Sequence, residues 1–474
     1  MVRSESPGPL LRLDFLVSGG GIAGLAVAFV LAQSGHRVRV IDKHDLTAPS
    51  GPLRVPPNLS KILRRWVGPE ELARVTTRCT RSPFLDMITG ELVGHLHWTP
   101  AVMAEAGGEF LVMHHADCHR MLYELAISVG VQTDFNTSVV AIHQGTEALP
   151  NPSVSLSSGE VLTADFLIAA DGPNSFIREV IWGPDEEKVP KMTLYTGVVP
   201  TEKMLAYPEL QPIYGENDDW PIFMGSDRSM CIHRVRGKRE FGFHLYSHLG
   251  DQYDCQGGDE GWDEKVPTDS VNYKNQGHSQ RMQRLLNMTS SLIRTRFVER
   301  PDDAIEDWAD ETGRIVLIGE AAHPWFPGGS HGAAMAVEDA VVFGTLFGRL
   351  KSWLQAPSFI SAYQELRQGR CKAVKVADIA NAHLVAMPPG PMRDARNASV
   401  SRELDEWDEG TLKAQFEEIA EVFGYDAADA ADEWWVNWGR FSESERGAPV
   451  SKHMSWAGFQ TTAAETTENQ ANVQ

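Results

Sequence analysis

Three glycines near the start of the chain, Gly19, Gly21 and Gly24, stand in the spacing GxGxxG. They lie between an apolar run, Leu13 to Ser18, and a helical pattern rich in Ala, Leu and Val from Ile22 to Ser34. In that setting Gly19 permits a tight turn, Gly21 lets a pyrophosphate approach the backbone, and Gly24 lets helix and strand pack closely. The helix N-terminus offers its partial positive charge to the phosphates. Gly35 closes the helix. The alternating segment HRVRVIDK then reads as a strand ending at Asp42, whose carboxylate can accept hydrogen bonds from an adenosine ribose. Cofactor contacts are therefore expected from Gly19, Gly21, Ala23, Gly24, Asp42 and Lys43. The pattern specifies a dinucleotide and does not choose between FAD and NAD.

Two later motifs narrow the choice. LIAADGPNSFIRE carries Asp171, Gly172, Ser175 and Arg178. RIVLIGEAAHP is followed by Pro327, Gly328 and Gly329, and then by a helical pattern that opens on Gly332, Ala333 and Ala334 and runs through Asp339. The apolar strand Arg314 to Ile318 sets Glu320 at a carboxyl end, where ligands of α/β sheets bind and a ribityl chain is within reach. Amides at the start of the later helix would stabilise negative charge on a reduced ring. In this order and spacing the three motifs resemble the single-component (class A) FAD monooxygenases, the aromatic hydroxylases typified by salicylate and 4-hydroxybenzoate hydroxylases. The resemblance spans most of residues 13 to 370. It implies non-covalent FAD, NAD(P)H as a transient reductant, and O2. It also implies hydroxylation of a phenolic or aromatic-acid small molecule through a flavin hydroperoxide, and is compatible with loss of a carboxylate. The chain has no second GxGxxG for a separate nicotinamide domain and no CxxxxC redox pair. An epoxidase, a Baeyer–Villiger-type enzyme or a non-catalytic flavin-binding relative would share these motifs.

Three positions depart from the family pattern. Glu320 replaces the usual Asp, His331 stands where Gln is usual, and His115 in MHHADCHRML takes the place of a flavin-contacting Arg, with Arg120 five residues on. On the substrate side, Arg54 in PLRVPPN corresponds to a position near the flavin ring in relatives. The segment CIHRVRGKREFGFHLY aligns with a strand of the family's substrate sheet. Alternation puts Arg234 and Arg236 on one face and Cys231, His233 and Val235 on the other. The resemblance turns Arg234 into the pocket, where a guanidinium would pair with a carboxylate or phenolate. Arg234, His331 and Arg54 are the expected catalytic residues. Cofactor contacts are expected further from Arg54, His115, Asp171, Glu320, Pro327, Gly332, Ala333 and Ala334. His95 and His97 share a face but lack a third ligand, so no metal site is expected. Trp434, Trp435 and Trp438 have helical spacing and read as packing residues.

The elements that must hold these residues follow from the rest of the sequence. The chain has 474 residues, 42% hydrophobic and 23% charged, which excludes a disordered or collagen-like polymer. A net charge of −21 repels nucleic acid and anionic membrane surfaces. Five scattered cysteines fit reduced thiols, and no signal peptide or membrane-spanning run is evident, so a cytoplasmic protein is expected. The expected fold is α/β. A Rossmann-like (ββα) FAD-binding domain over 11–80, 116–185 and 295–370 is interrupted by a mostly antiparallel substrate sheet over 81–115 and 186–294. A helical region, 371–460, and a disordered tail, 461–474, follow. Within these, helices are expected over Leu59–Trp66 and Asp117–Val129, a hairpin at Thr89-Gly90, and a mobile connection over Gly250–Gln276.

Overall fold

The computed structural model describes residues 11–47, 51–98, 100–184, 190–210, 213, 219–226, 228–247, 264–271, 280–298, 306–401 and 421–439. Five short strands form a parallel sheet in the spatial order Ile315–Leu317, Phe166–Ala169, Asp14–Ser18, Arg37–Ile41, Gln132–Asp134. Phe166–Ala169 and the Phe15–Val17 part of Asp14–Ser18 are apolar and buried, as expected where both faces of a parallel sheet are covered, while Arg37–Ile41 alternates. The helix Ile22–Gln33, buried from Gly24 to Leu31, packs against the helix Gly332–Phe347. Gly344 makes their close approach possible, since a Cβ there would lie 2.3 Å from Val30 Cγ1.

The second layer is an eight-stranded, mostly antiparallel sheet. Its spatial order is Glu264–Pro267, Ser291–Val298, Pro190–Pro200, Glu240–Ser247, Arg228–Val235, Ile222–Met224, Arg81–Asp86, Leu92–His97. Cross-strand register places Cys231 opposite His244, His233 opposite Gly242 and Ser229 opposite Tyr246. These residues share the face toward the FAD-binding layer. Met230, Ile232, Phe241, Phe243 and Leu245 point the other way, into a separate apolar core with Met282, Leu285 and Leu286.

Several boundaries differ from those expected. Leu111–His114 pairs with Pro52–Val55 and Thr76–Arg78 in a small sheet of its own, so the segment 81–115 does not belong whole to the substrate sheet. Ser291–Val298 pairs along Pro190–Pro200, so the change of domain at 294/295 would cut a strand. Within Gly250–Gln276 the described part, 264–271, contains a strand paired with Ser291–Val298. The remainder of that stretch and the tail 461–474 lie outside the described residues. Trp435 is buried, but Trp438 is 68% exposed and does not pack as its helical spacing suggests. Cys79, Cys118, Cys231 and Cys371 are free and buried. No helix among the described residues is long and apolar enough to cross a membrane.

Glu338 and Asp339, consecutive on the helix Gly332–Phe347, are both fully buried. Arg367, from the long helix Ala356–Val385, donates to Glu338 Oε2 and to Asp339 Oδ1, each at 2.8 Å. Asn58 donates to Glu338 (2.7 Å), and Asp339 accepts from the Gly319 amide (3.0 Å) and pairs with His323 Nε2 (2.6 Å). Burial opposes charge on the His323 ring, but Cys371 and Asp339 outweigh it and raise its pKa to about 10. Removing one partner of a buried ion pair strands the other charge, at a cost of about 3–5 kcal/mol. Arg367→Met should therefore lower the free energy of unfolding by about that amount in chemical denaturation. A loss under about 1 kcal/mol would show that the network contributes little. The His323 contribution is complete below the ordinary imidazole value of 6.5 and is lost as pH rises through about 10. The melting-temperature gap between parent and His323→Gln should thus narrow between those pH values; a constant gap would contradict the assignment.

Candidate functional site

The three motifs meet at the carboxyl end of the parallel sheet. Gly19 has φ +109°, and a Cβ there would lie 2.1 Å from the Ala170 carbonyl oxygen, next to Asp171. A Cβ on Gly24 would lie 1.8 Å from the Gly19 carbonyl oxygen. A Cβ on Gly319 (φ +63°) would come 2.6 Å from the Ala23 methyl, so the first loop touches the third motif. Gly21 is different. It is exposed and extended at the helix N-cap, and a Cβ there would meet nothing within 4 Å. The side left open is the one a pyrophosphate needs.

Asp42 accepts from the Gly20 amide (2.6 Å) and from the His44 amide (2.7 Å), which holds the glycine loop in place. Its two oxygens keep further acceptor capacity for a ribose. Lys43 beside it is exposed. His119 Nε2 lies 2.7 Å from the Gly20 carbonyl oxygen, and with Leu46, Thr47, Ala116, Arg120, Tyr123 and Glu124 it lines a cleft of about 560 Å³. His115, first residue of the helix His115–Ser128, has a buried Nδ1 with no partner among the described residues. Burial, with His119 and His114 adding to it, lowers its pKa to about 4, so the ring is neutral. Arg120 stands on the cleft wall and is the cation available there.

Asp171 accepts from Ser175 Oγ (2.5 Å) and the Ile177 amide (3.1 Å), and burial raises its pKa. Arg178 donates to the carbonyl oxygens of Ala321 (2.9 Å) and Pro173 (2.7 Å). Both side chains tie the second motif's turn, and Arg178 joins it to the third motif. Glu320 is half-buried in the short turn Gly319–Ala321. Pro327 is buried, Gly332 and Ala333 are partly exposed in the first turn of the helix Gly332–Phe347, and Ala334 is fully buried in the core. Only backbone groups of Ala334 are placed to meet a ligand.

Arg54, on the strand Pro52–Val55, lies in the buried seam between the two layers. It donates to His233 Nε2 (3.4 Å), Ser330 Oγ (3.2 Å) and Tyr246 Oη (3.2 Å), and its guanidinium lies 4.5 Å from the Trp220 ring centroid. A guanidinium only donates, so His233 accepts at Nε2 and is neutral; burial, then Arg54 and His244, hold its pKa well below the ordinary range. Tyr246 donates its hydroxyl hydrogen bond to the Gly328 carbonyl oxygen (2.6 Å) and so fastens the loop before the helix Gly332–Phe347. Burial opposes the Arg54 charge, but Tyr246, Cys231 and Asp378 around it leave its pKa raised. Among the described residues no carboxylate is a hydrogen-bond partner of Arg54. The Asp378 carboxylate instead accepts from Trp325 Nε1 (2.8 Å) and the His331 amide (3.3 Å). His331 is buried at the helix N-cap, its Nδ1 has no partner among the described residues, and burial lowers its pKa.

Arg234 is not part of this cluster. The strand Arg228–Val235 turns Cys231 and His233 toward Arg54, while Arg234 points to the opposite face, its guanidinium 5.6 Å from the ring centroid of its cross-strand neighbour Phe241. The alternation holds along the strand, but Arg236 lies beyond it in a turn (φ +51°), and the partly exposed Arg234 shares its face with Met230 and Ile232 of the outer core, so the face assigned to the pocket is reversed. His233, Tyr246, Trp220, Ser330 and Asp378 are the site residues that sequence reading passed over. The same alternation would have found His233, and the spacing of His244 and Tyr246 in HLY would have found the next strand.

A family model described as an FAD binding domain matches residues 12–195. The FAD-dependent monooxygenase OpS4 of Beauveria bassiana (strain ARSEF 2860) is 25% identical over 442 residues, which cover 89% of this chain and 96% of that protein. The 3-hydroxybenzoate 6-hydroxylase of Klebsiella oxytoca is 29% identical over 333 residues, covering 69% of this chain and 78% of that one. The crystal structure of CtdE in complex with FAD and a substrate shares the fold, with a TM-score of 0.74 at 17% identity, over 91% of this chain and 100% of that one. The chain is a flavoprotein oxidoreductase. It is an FAD-dependent monooxygenase similar to the aromatic hydroxylases, with NAD(P)H as reductant and O2 as oxidant.

The open side of Gly21, the Asp42 carboxylate and the unpartnered His115 Nδ1 all fit FAD. Gly21→Val should fold with a melting temperature close to the parent's, since no described residue lies within 4 Å of a Cβ placed there, yet bind FAD at least ten-fold more weakly in a fluorescence titration. Undiminished FAD affinity would place the pyrophosphate elsewhere.

Proposed function

We propose that the aromatic substrate carries an acidic group, a carboxylate or an ionised phenol, and that this group pairs with Arg54. The single observation behind this is a buried guanidinium whose hydrogen-bond partners, His233, Ser330 and Tyr246, supply no formal negative charge. A charge withdrawn from water is costly unless an anion joins it, and Arg is suited to bidentate pairing with a planar anion. The Klebsiella relative is named for hydroxylating 3-hydroxybenzoate, which carries a carboxylate and a phenol.

When bound, FAD supplies reduction by NAD(P)H and activation of O2. The chain's own groups orient and protect. Arg54 fixes one edge of the substrate, and Trp220 offers a flat apolar wall. His331, neutral and with Nδ1 free, is placed to accept a phenolic proton. The amides at the start of the helix Gly332–Phe347 face developing negative charge. Glu320, Asp42 and Lys43 serve the ribityl and adenosine parts of the cofactor, while Asp171 and Arg178 hold the turn beside it.

Truncating one partner of a desolvated charge pair costs about 2–5 kcal/mol, or roughly thirty-fold or more in affinity. Arg54→Met should therefore retain FAD and weaken binding of a hydroxybenzoate by about that factor in a titration followed by flavin absorbance. Equal dissociation constants for parent and variant would remove the case for an anionic substrate.

A further inference from the structure

One face of the helix His115–Ser128 forms a wall of an open cleft beside the glycine loop. Ala116, His119, Arg120, Tyr123 and Glu124 follow the spacing i, i+3, i+4, i+7, i+8, which brings them to one side of a helix, and all five line the cleft. Leu46 and Thr47, from the segment after the strand Arg37–Ile41, line it as well. Its volume of about 560 Å³ falls within the roughly 300–1,000 Å³ usual for small-molecule sites. His119 fastens this wall to the first motif. Its Nε2 donates to the Gly20 carbonyl oxygen (2.7 Å), one residue before the open side of Gly21.

A dinucleotide brings a charged diphosphate to a chain whose net charge is already −21. The helix Ile22–Gln33 meets it with free amides, since its N-cap Gly21 has no capping side chain and its first turn holds no acid. Those amides carry only partial charge, and most neighbouring cations are committed elsewhere. Arg178 is spent on the Ala321 and Pro173 carbonyl oxygens, and Arg54 lies in the seam with the substrate sheet. Lys43 follows Asp42, the expected ribose acceptor. His115 is neutral, because burial opposes its charge. Arg120 is different. It is exposed on the cleft wall, and it has no hydrogen-bond or ion-pair partner among the described residues. Glu124 stands one turn further along the same face, but Arg before Glu is the less favourable order for an i,i+4 pair. A guanidinium on a cleft wall with its donors unmatched is suited to bidentate pairing with phosphate oxygens.

We propose that Arg120 binds a phosphate of the dinucleotide, supplying the full positive charge that the neutral His115 lacks. The proposal rests on the glycine loop holding the dinucleotide, and it names the side chain that completes that site. FAD and the reduced nicotinamide both carry phosphate, so the test reads them separately. The FAD-loaded parent, Arg120→Met and Arg120→Lys are diluted at low and at high salt, and released FAD is read by its recovered fluorescence. Anaerobic flavin reduction then gives the dissociation constants of NADPH and NADH. At low salt Arg120→Met should bind one of these ligands about three- to ten-fold more weakly, the scale of a charge-assisted pair at an exposed site. High salt should shrink the gap to under about two-fold, because it screens exposed charges. Arg120→Lys keeps the charge without the planar fork and should fall between parent and Arg120→Met. A loss in FAD retention assigns Arg120 to the FAD diphosphate. A loss for both nicotinamides assigns it to theirs, and a loss for NADPH alone to the 2′-phosphate. A merely structural role would give a loss that is the same at both salts and the same in Arg120→Lys, which would overturn the proposal. Unchanged binding of all three ligands in Arg120→Met would also overturn it. If Gly21→Val nevertheless loses FAD, the glycine-loop site stands and only the assignment of Arg120 fails.

Discussion

Two adjacent, fully buried carboxylates, Glu338 and Asp339, constrain the rest of the structure. Neither can stay ionised in an apolar core unless donors reach it, and the donors come from four distant parts of the chain. Arg367 arrives from the long C-terminal helix, Asn58 from the helix after Arg54, Gly319 from the end of a central strand, and His323 from the turn that follows. Satisfying two acids therefore fixes the helix Gly332–Phe347 in both position and rotation. Its first residues lie where the three motifs meet, and the loop leading into it carries Ser330 and His331 to Arg54. The ion network holds the frame, and the chemistry lies one turn away.

The same side chain plays opposite parts in the two places. Arg367 meets two carboxylates and is wholly compensated. Arg54, comparably buried, meets an imidazole, a hydroxyl and a phenol, and so keeps charge to offer a ligand. In a chain with a net charge of −21, a buried cation without a carboxylate in contact is a departure from the surroundings. The asymmetry between the two arginines is what distinguishes a framework charge from a binding charge.

Much of the dinucleotide half was legible in the sequence, because its constraints are local. Gly19 must clear Ala170 and Gly24 must clear Gly19, and only glycine can do either at those spacings. The order of the motifs then carried the sheet and its partner layer. The substrate side was less legible for a physical reason. Strand alternation sorts residues into two faces but does not say which face looks inward, and Arg234 was assigned to the wrong one. The apolar neighbours Met230 and Ile232 were the signal that its face belongs to a second core. Asp378 had no local signature, since it reaches the site only through the packing of a C-terminal helix.

The central claim is that the guanidinium of Arg54 awaits an anion. It is tested most directly on the unmodified, FAD-loaded protein with two ligands of the same shape and different charge. Titration of 3-hydroxybenzoate and 3-hydroxybenzamide at neutral pH compares a carboxylate with its uncharged amide. The expected result is binding of the acid at least about ten-fold tighter, the margin of a buried charge-assisted pair over a neutral hydrogen bond. Equal affinities, or a preference for the amide, would contradict it.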